Sequence, residues 1–155
     1  MNASPKIRIV CATRESRNDF FQKSALGRTM AAYGAFYPES FVELRLFERN
    51  ARGLPAVYNE AIAEAAAKPA VLMFAHDDIT LCDFFWGHEV LGSLQAFDVV
   101  GVAGNKRRVA RQPGWAFIDE KPTWDTPQNL SGVIGHGTGF PPRNLSSFGP
   151  TQQAV

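Results

Sequence analysis

The sequence predicts an α/β domain, a mostly parallel sheet flanked by helices, and three observations carry that prediction. Short, continuously apolar runs, IRIVCA, AVLMFA and DVVGVA, have the composition of strands buried on both faces of a sheet. Stretches with helical spacing and recognisable starts and stops lie between them. Strand and helix alternate from the start to about Gly104, the order expected when helices form the crossovers between parallel strands.

The first strand is expected at Ile7–Ala12. Ser16-Arg17-Asn18-Asp19 has the S-x-x-D form of a capping box, which places a helix start there. Phe21, Ala25, Thr29, Ala32 and Tyr33 continue at helical spacing, and Gly34 is a natural stop. Residues 41–47 alternate apolar and charged side chains and read as a second strand with one face less buried. A polar loop from Glu48 to Gly53 then leads to a helix whose stripe is Leu54, Val57, Tyr58, Ala61, Ile62 and Ala65. Pro55 fits its first turn, where a missing N–H costs nothing, and Lys68-Pro69 ends it. Residues 70–75 form a third strand that runs straight into His76-Asp77-Asp78. Asp83 is placed to cap a helix over 84–96, and 98–103 reads as a fourth apolar strand. Beyond Gly104 the order fades. WAFID reads as a short strand, and residues 131–155 read as an irregular segment rich in Gly and Pro. The α/β domain is therefore drawn over 1–130.

Composition narrows the partners. The chain has 155 residues, enough for one domain with a real core, and a formal net charge of +1, which provides no general attraction to nucleic acid. No segment approaches the roughly 20 continuous apolar residues that span a bilayer, so any membrane association is expected to be peripheral or through a partner. Cys11 and Cys82 are far apart and belong to no CxxC pair, which favours a reducing, cytoplasmic setting.

In parallel α/β sheets, ligands bind beyond the carboxyl ends of the strands. Three such ends carry Thr13-Arg14-Glu15, Glu48-Arg49-Asn50 and His76-Asp77-Asp78, all polar. Neither GxGxxG after the first strand nor GxxxxGK[ST] is present, which disfavours the common dinucleotide and P-loop modes. The adjacent carboxylates Asp77 and Asp78 repel each other unless a cation or protons offset them. Mg²⁺ or Mn²⁺ does this through one or two carboxylates, a substrate diphosphate and water. The plainer reading is that one of the two acids caps the following turn.

The run NARGLPAVYNEAIAEAAAKPAVLMFAHDDITL resembles family 2 glycosyltransferases of the GT-A fold, most closely a bacterial capsule-type branch with HDD in place of DxD. DVVGVAGNKRR is similar to the strand and loop that follow. The resemblance implies a GT-A, Rossmann-like nucleotide-binding half, in complete form or shortened at the carboxyl terminus. It implies that Thr13, Arg14, Glu15 and Glu48 lie near the base or ribose, with Asn50, Arg52 and Asn59 near ribose or phosphate. Asp77 and Asp78 then hold the divalent metal on the diphosphate of a nucleotide-sugar donor, and a saccharide or other hydroxyl acceptor receives the sugar. The catalytic base of that family comes later in the chain and is not identifiable here. The alternative expectation is a truncated module that binds nucleotide or a partner without catalysis.

Overall fold

The computed structural model describes residues 5–34, 36–39, 41–137 and 141–149, and its chain divides into two compact units, 1–91 and 92–155. The first unit contains β1 (Ile7–Ala12), α1 (Arg17–Lys23), α2 (Ala25–Tyr33), β2 (Val42–Phe47), α3 (Leu54–Ala67) and β3 (Val71–Phe74). It also holds most of α4 (Trp86–Ser93).

The strands of this unit form a parallel sheet in the order β2-β1-β3. The chain steps from β1 sideways to β2, then back past β1 to β3. Two crossovers in opposite directions keep the same hand only if their helices lie on opposite faces, and the core shows that arrangement. Alternation along β1 sends Ile7, Ile9 and Cys11 to a face packed by Phe20 and Leu26 of α1 and α2. Val10 goes to the other face, against Val57 and Ala61 of α3. The central strand is thus covered on both sides, as its apolar run predicts. Arg8 is buried as well, and its guanidinium donates to Glu43 and to the carbonyl of Lys68 (3.2 Å).

The long helix expected after Ser16 is two helices. Its start is as predicted: Ser16 is the N-cap of α1, and its Oγ accepts from the amide of Asp19 (3.2 Å). Ser24 then leaves the helical region (φ −76°, ψ 151°), and its Oγ donates to Phe20 O and accepts from Gly27 N (2.9 Å). A Cβ at Gly27 would stand 2.1 Å from Phe20 O, so only glycine permits this sharp turn between α1 and α2.

The second unit contains β4 (Ala103–Asn105), a 3₁₀ turn at Pro127–Asn129, β5 (Leu130–His136) and β6 (Asn144–Phe148), with the strands in one antiparallel sheet. Two expectations fail here. The run 98–103 does not form a strand of its own: Val99 and Val102 are 86% and 95% exposed, and pairing begins only at Ala103. Apolar content favours a strand, but a strand also needs a partner edge in register. Residues 131–155, expected to be irregular, include most of β5 and all of β6. Their alternation is hidden because glycines hold places where side chains would mark it, as at Gly132, where a Cβ would come 2.7 Å from that of Ala103. Residues 138–140, the end of GHGTG among them, and 150–155 lie outside the described residues. WAFID contributes a single bridge, Phe117 to Trp124.

Asp125 anchors the second unit. It is buried, and its carboxylate accepts from Arg107, from Asn105 Nδ2 and Asn129 Nδ2 (3.0 Å each) and from the amide of Thr126. The Arg107 guanidinium, foremost, holds this carboxyl far below the usual carboxylate range. Arg107 of the basic run Lys106-Arg107-Arg108 is therefore a structural cation.

Candidate functional site

The order β2-β1-β3 places the carboxyl ends of all three parallel strands side by side, with β1 in the middle. Thr13 follows β1 directly and continues its alternation, Ile7, Ile9, Cys11, Thr13, so its side chain belongs to the α1/α2 face. It is 3% exposed. Its Oγ1 donates to Asp77 Oδ2 (2.6 Å) and accepts from the amide of Glu15 (3.2 Å). Its amide donates to Phe47 O (3.0 Å), and its carbonyl accepts from Asn50 N (2.8 Å). One buried residue therefore ties together the ends of β1, β2 and β3.

The loop after β2 is built to meet it. Arg49 takes a left-handed conformation (φ 47°), costly for a residue with a side chain. This turn aims two successive amides at the neighbouring loop, Arg49 N to Glu15 O (2.9 Å) and Asn50 N to Thr13 O. The side chain of Asn50 closes on the backbone of Arg52 in both directions, Nδ2 to O at 2.8 Å and N to Oδ1 at 3.2 Å. Arg52 is exposed, paired with Glu60 (2.8 Å) and set over the Phe47 ring. Glu48 is exposed and accepts from the amide of Arg17 (2.8 Å), satisfying one of the free N–H groups at the start of α1.

The acid pair occupies the turn after β3. Asp77 is half-buried, and its backbone carbonyl accepts from Leu26 N (3.1 Å) in the first turn of α2. Asp78 is exposed and makes no hydrogen bond or ion pair among the described residues. Neither carboxylate accepts a backbone amide there, so the pair does not act as a turn cap. The two acids differ instead, Asp77 held through one oxygen by Thr13 and Asp78 open.

Of the residues expected to bind nucleotide, Thr13, Glu15, Glu48 and Asn50 are brought together through the contacts above. Arg14 is exposed in the same turn, whereas Asn59 is exposed on α3 and its side chain makes no hydrogen bond among the described residues. Thr13 differs from the others in being buried, with its hydroxyl already shared between Asp77 and the Glu15 amide. The period-two pattern from Ile7 already carried that signal. Cys11 lies one step earlier on the same face and is fully buried. Burial, then the charges of Asp77 and Asp78, push its thiol up to about 12.

Because the folded value lies above the ordinary thiol value, the contribution of Cys11 to stability is complete below about pH 9 and fades as pH rises toward 12. Wild-type stability is therefore expected to fall between pH 9 and 11 by up to about 1.4 kcal/mol per pH unit more than that of Cys11→Ala. Urea melts across that range measure the difference, and parallel slopes for the two chains would contradict it.

No group of three or more His, Cys, Asp or Glu that could hold a metal ion is found among the described residues. Asp77 and Asp78 offer carboxylate oxygens, the hard donors that Mg²⁺ and Mn²⁺ take. Comparisons with protein-family models, with curated proteins and with solved structures find no match to this chain.

Proposed function

We propose that the chain binds a nucleoside-diphosphate sugar at the carboxyl edge of the parallel sheet, as the donor-binding part of a family 2-like glycosyltransferase of GT-A type. A saccharide or other hydroxyl compound is the acceptor, and polysaccharide assembly in a reducing, cytoplasmic setting is the process this chemistry serves. The observation that carries the reading is the junction at Thr13, which joins three polar strand ends while Asp78 stays open. Asp77 and Asp78 would hold Mn²⁺ or Mg²⁺, and bound there the ion neutralises charge on the departing diphosphate. Thr13 keeps the Asp77 carboxylate in place. Arg14 and Glu15 present exposed polar groups toward a base or ribose, and Asn50 shapes the loop that carries Arg52.

At one hundred times its dissociation constant, a nucleoside diphosphate with Mn²⁺ is expected to stabilise the chain by about 2.7 kcal/mol. Asp78→Asn removes this stabilisation while leaving the ligand-free melting temperature within a degree or two, because Asp78 has no partner to lose. A thermal-shift screen of uridine and guanosine diphosphates, with and without Mn²⁺, reads both effects. Absence of stabilisation by every nucleotide in the presence of metal overturns the proposal.

A second reading, binding without transfer, is favoured by two acids downstream. Asp119 accepts from the amides of Lys121 and Thr123 in a turn, and Glu120 pairs with Arg111 (3.2 Å). Neither is a free base. Sugar transfer or donor hydrolysis by the purified chain would eliminate this reading.

A further inference from the structure

The antiparallel sheet of the second unit ends on β6, which has β5 on one side and no strand on the other among the described residues. Which of its backbone groups face that open side follows from period-two alternation. On the β4 side of β5, Lys106 N donates to Asn129 O (2.9 Å), in the register that joins Ala103 to Gly132. The even-numbered residues of β5 therefore turn their N–H and C=O toward β6. There they meet Asn144, Ser146 and Phe148, opposite His136, Ile134 and Gly132. Leu145 and Ser147 are left with their backbone groups pointing outward, and nothing takes them among the described residues. Both residues are exposed as well, Leu145 at 66%.

An open edge is a template for another strand, and edges that stay single are blunted by charge, proline or a covering segment. Asn144-Leu145-Ser146-Ser147-Phe148 has neither charge nor proline. Its ribbon with β5 is also short of cover. β4 pairs only as far as Gly132, and Val133, Ile134 and Leu145 beyond it are exposed. A two-stranded ribbon is marginal by itself and gains from a further strand.

The edge matches itself. Run antiparallel about a two-fold axis at Ser146, Leu145 stands opposite Ser147 of a second copy, and Ser147 opposite its Leu145. Both are then hydrogen-bonded pairs, so the outward N–H and C=O groups of Leu145 and Ser147 all find partners. Ser146 meets its own copy in the closer, non-hydrogen-bonded place between them, where a small side chain fits. The two Leu145 side chains become diagonal neighbours, roughly 7–8 Å apart and within each other's reach. The nearest charge, Arg143, lies outside the paired residues, so no like charges meet.

We propose that this chain forms a two-fold dimer in which β6 pairs antiparallel with β6 of a second copy, centred on Ser146, joining the two three-stranded sheets into one. The contact is a strand edge and little more, so the dimer is weak and concentration-dependent. It is independent of the strand-end site and of the reading given to it.

In sedimentation equilibrium of the full chain, the average mass is expected to rise from one chain toward two between about 10 µM and 1 mM. Ser147→Pro deletes an outward N–H and leaves the β5–β6 ladder its bonds, whereas Leu145→Lys sets two like charges on the diagonal. Each is expected to raise the dissociation constant about tenfold or more, and Leu145 is exposed enough for that variant to keep its fold. Cross-linking reads the register. With the exposed thiol removed by Cys82→Ser, Ser146→Cys is expected to oxidise to a disulfide-linked dimer, because its pair holds the Cα atoms ~4.5 Å apart. Ser147→Cys in the same background meets its copy only on the diagonal and is expected to oxidise about tenfold more slowly. A chain monomeric at about 1 mM, whatever else its edge accepts, overturns the proposal. So does a dimer that survives either edge variant, or equal cross-linking of the two cysteine variants.

Discussion

Thr13→Val is expected to destabilise the parallel unit by about 1.5–3 kcal/mol and to abolish metal-dependent nucleotide binding, while Thr13→Ser retains most of both. Valine matches threonine in shape, so the β1 end still packs. What disappears is the hydroxyl, buried at 3% exposure, that donates to Asp77 Oδ2 at 2.6 Å and accepts from Glu15 N. The Asp77 carboxylate then loses its one hydrogen-bond donor among the described residues, and the Glu15 amide loses its acceptor. Serine keeps the donor and surrenders only a methyl group. Urea denaturation measures the stability term, and a double-mutant cycle with Asp77→Asn isolates the pair. A cycle coupling near zero would show that the contact does not position the acid. Loss of nucleotide binding in Thr13→Val with the cycle intact would separate positioning from general damage.

Phe20→Ala is expected to cost about 3–5 kcal/mol, enough to leave many domains of this size unfolded at 37 °C. Phe20 is fully buried in the cluster with Ile7, Ile9, Cys11 and Leu26, and its ring meets Phe21 edge-on at 5.2 Å. Its surroundings also resist collapse into the space it leaves. Its carbonyl accepts from Ser24 Oγ at the break between α1 and α2, and Gly27 already sits against that carbonyl. With the backbone held there, the cavity stays open and the full cavity term applies. Denaturant melts followed by far-ultraviolet circular dichroism provide the measurement. A loss below about 1 kcal/mol would mean that the α1/α2 layer contributes little to the unit.

Much of this architecture was legible in the chain. The run IRIVCA marks β1 with its observed bounds, because a strand covered on both faces has little room for polar residues, and its one charge, Arg8, is buried with partners. The capping box at Ser16 and the helix over Leu54–Ala67 were readable for local reasons, a side-chain cap in one case and an alanine-rich apolar stripe in the other. Local signals of the same strength misled where pairing was at issue. DVVGVA has the composition of a strand, yet β4 takes in only its last residue, and the glycine-broken stretch beyond Leu130 pairs into two strands. Composition reports what a segment favours burying, whereas pairing depends on which edge it meets.

The same division holds at the acid pair. The sequence by itself determined that two adjacent carboxylates follow an apolar strand, and that polar residues end two others. Only the tertiary structure decided that Thr13 is buried, that its hydroxyl reaches across 64 positions of chain to Asp77, and that Asp78 is left open. The reason is physical. A strand's alternation and a helix's cap are written in neighbours a few residues apart, but the difference between two adjacent aspartates depends on a donor brought from a distant strand. That donor arrives only once the β2-β1-β3 order has set the three strand ends side by side.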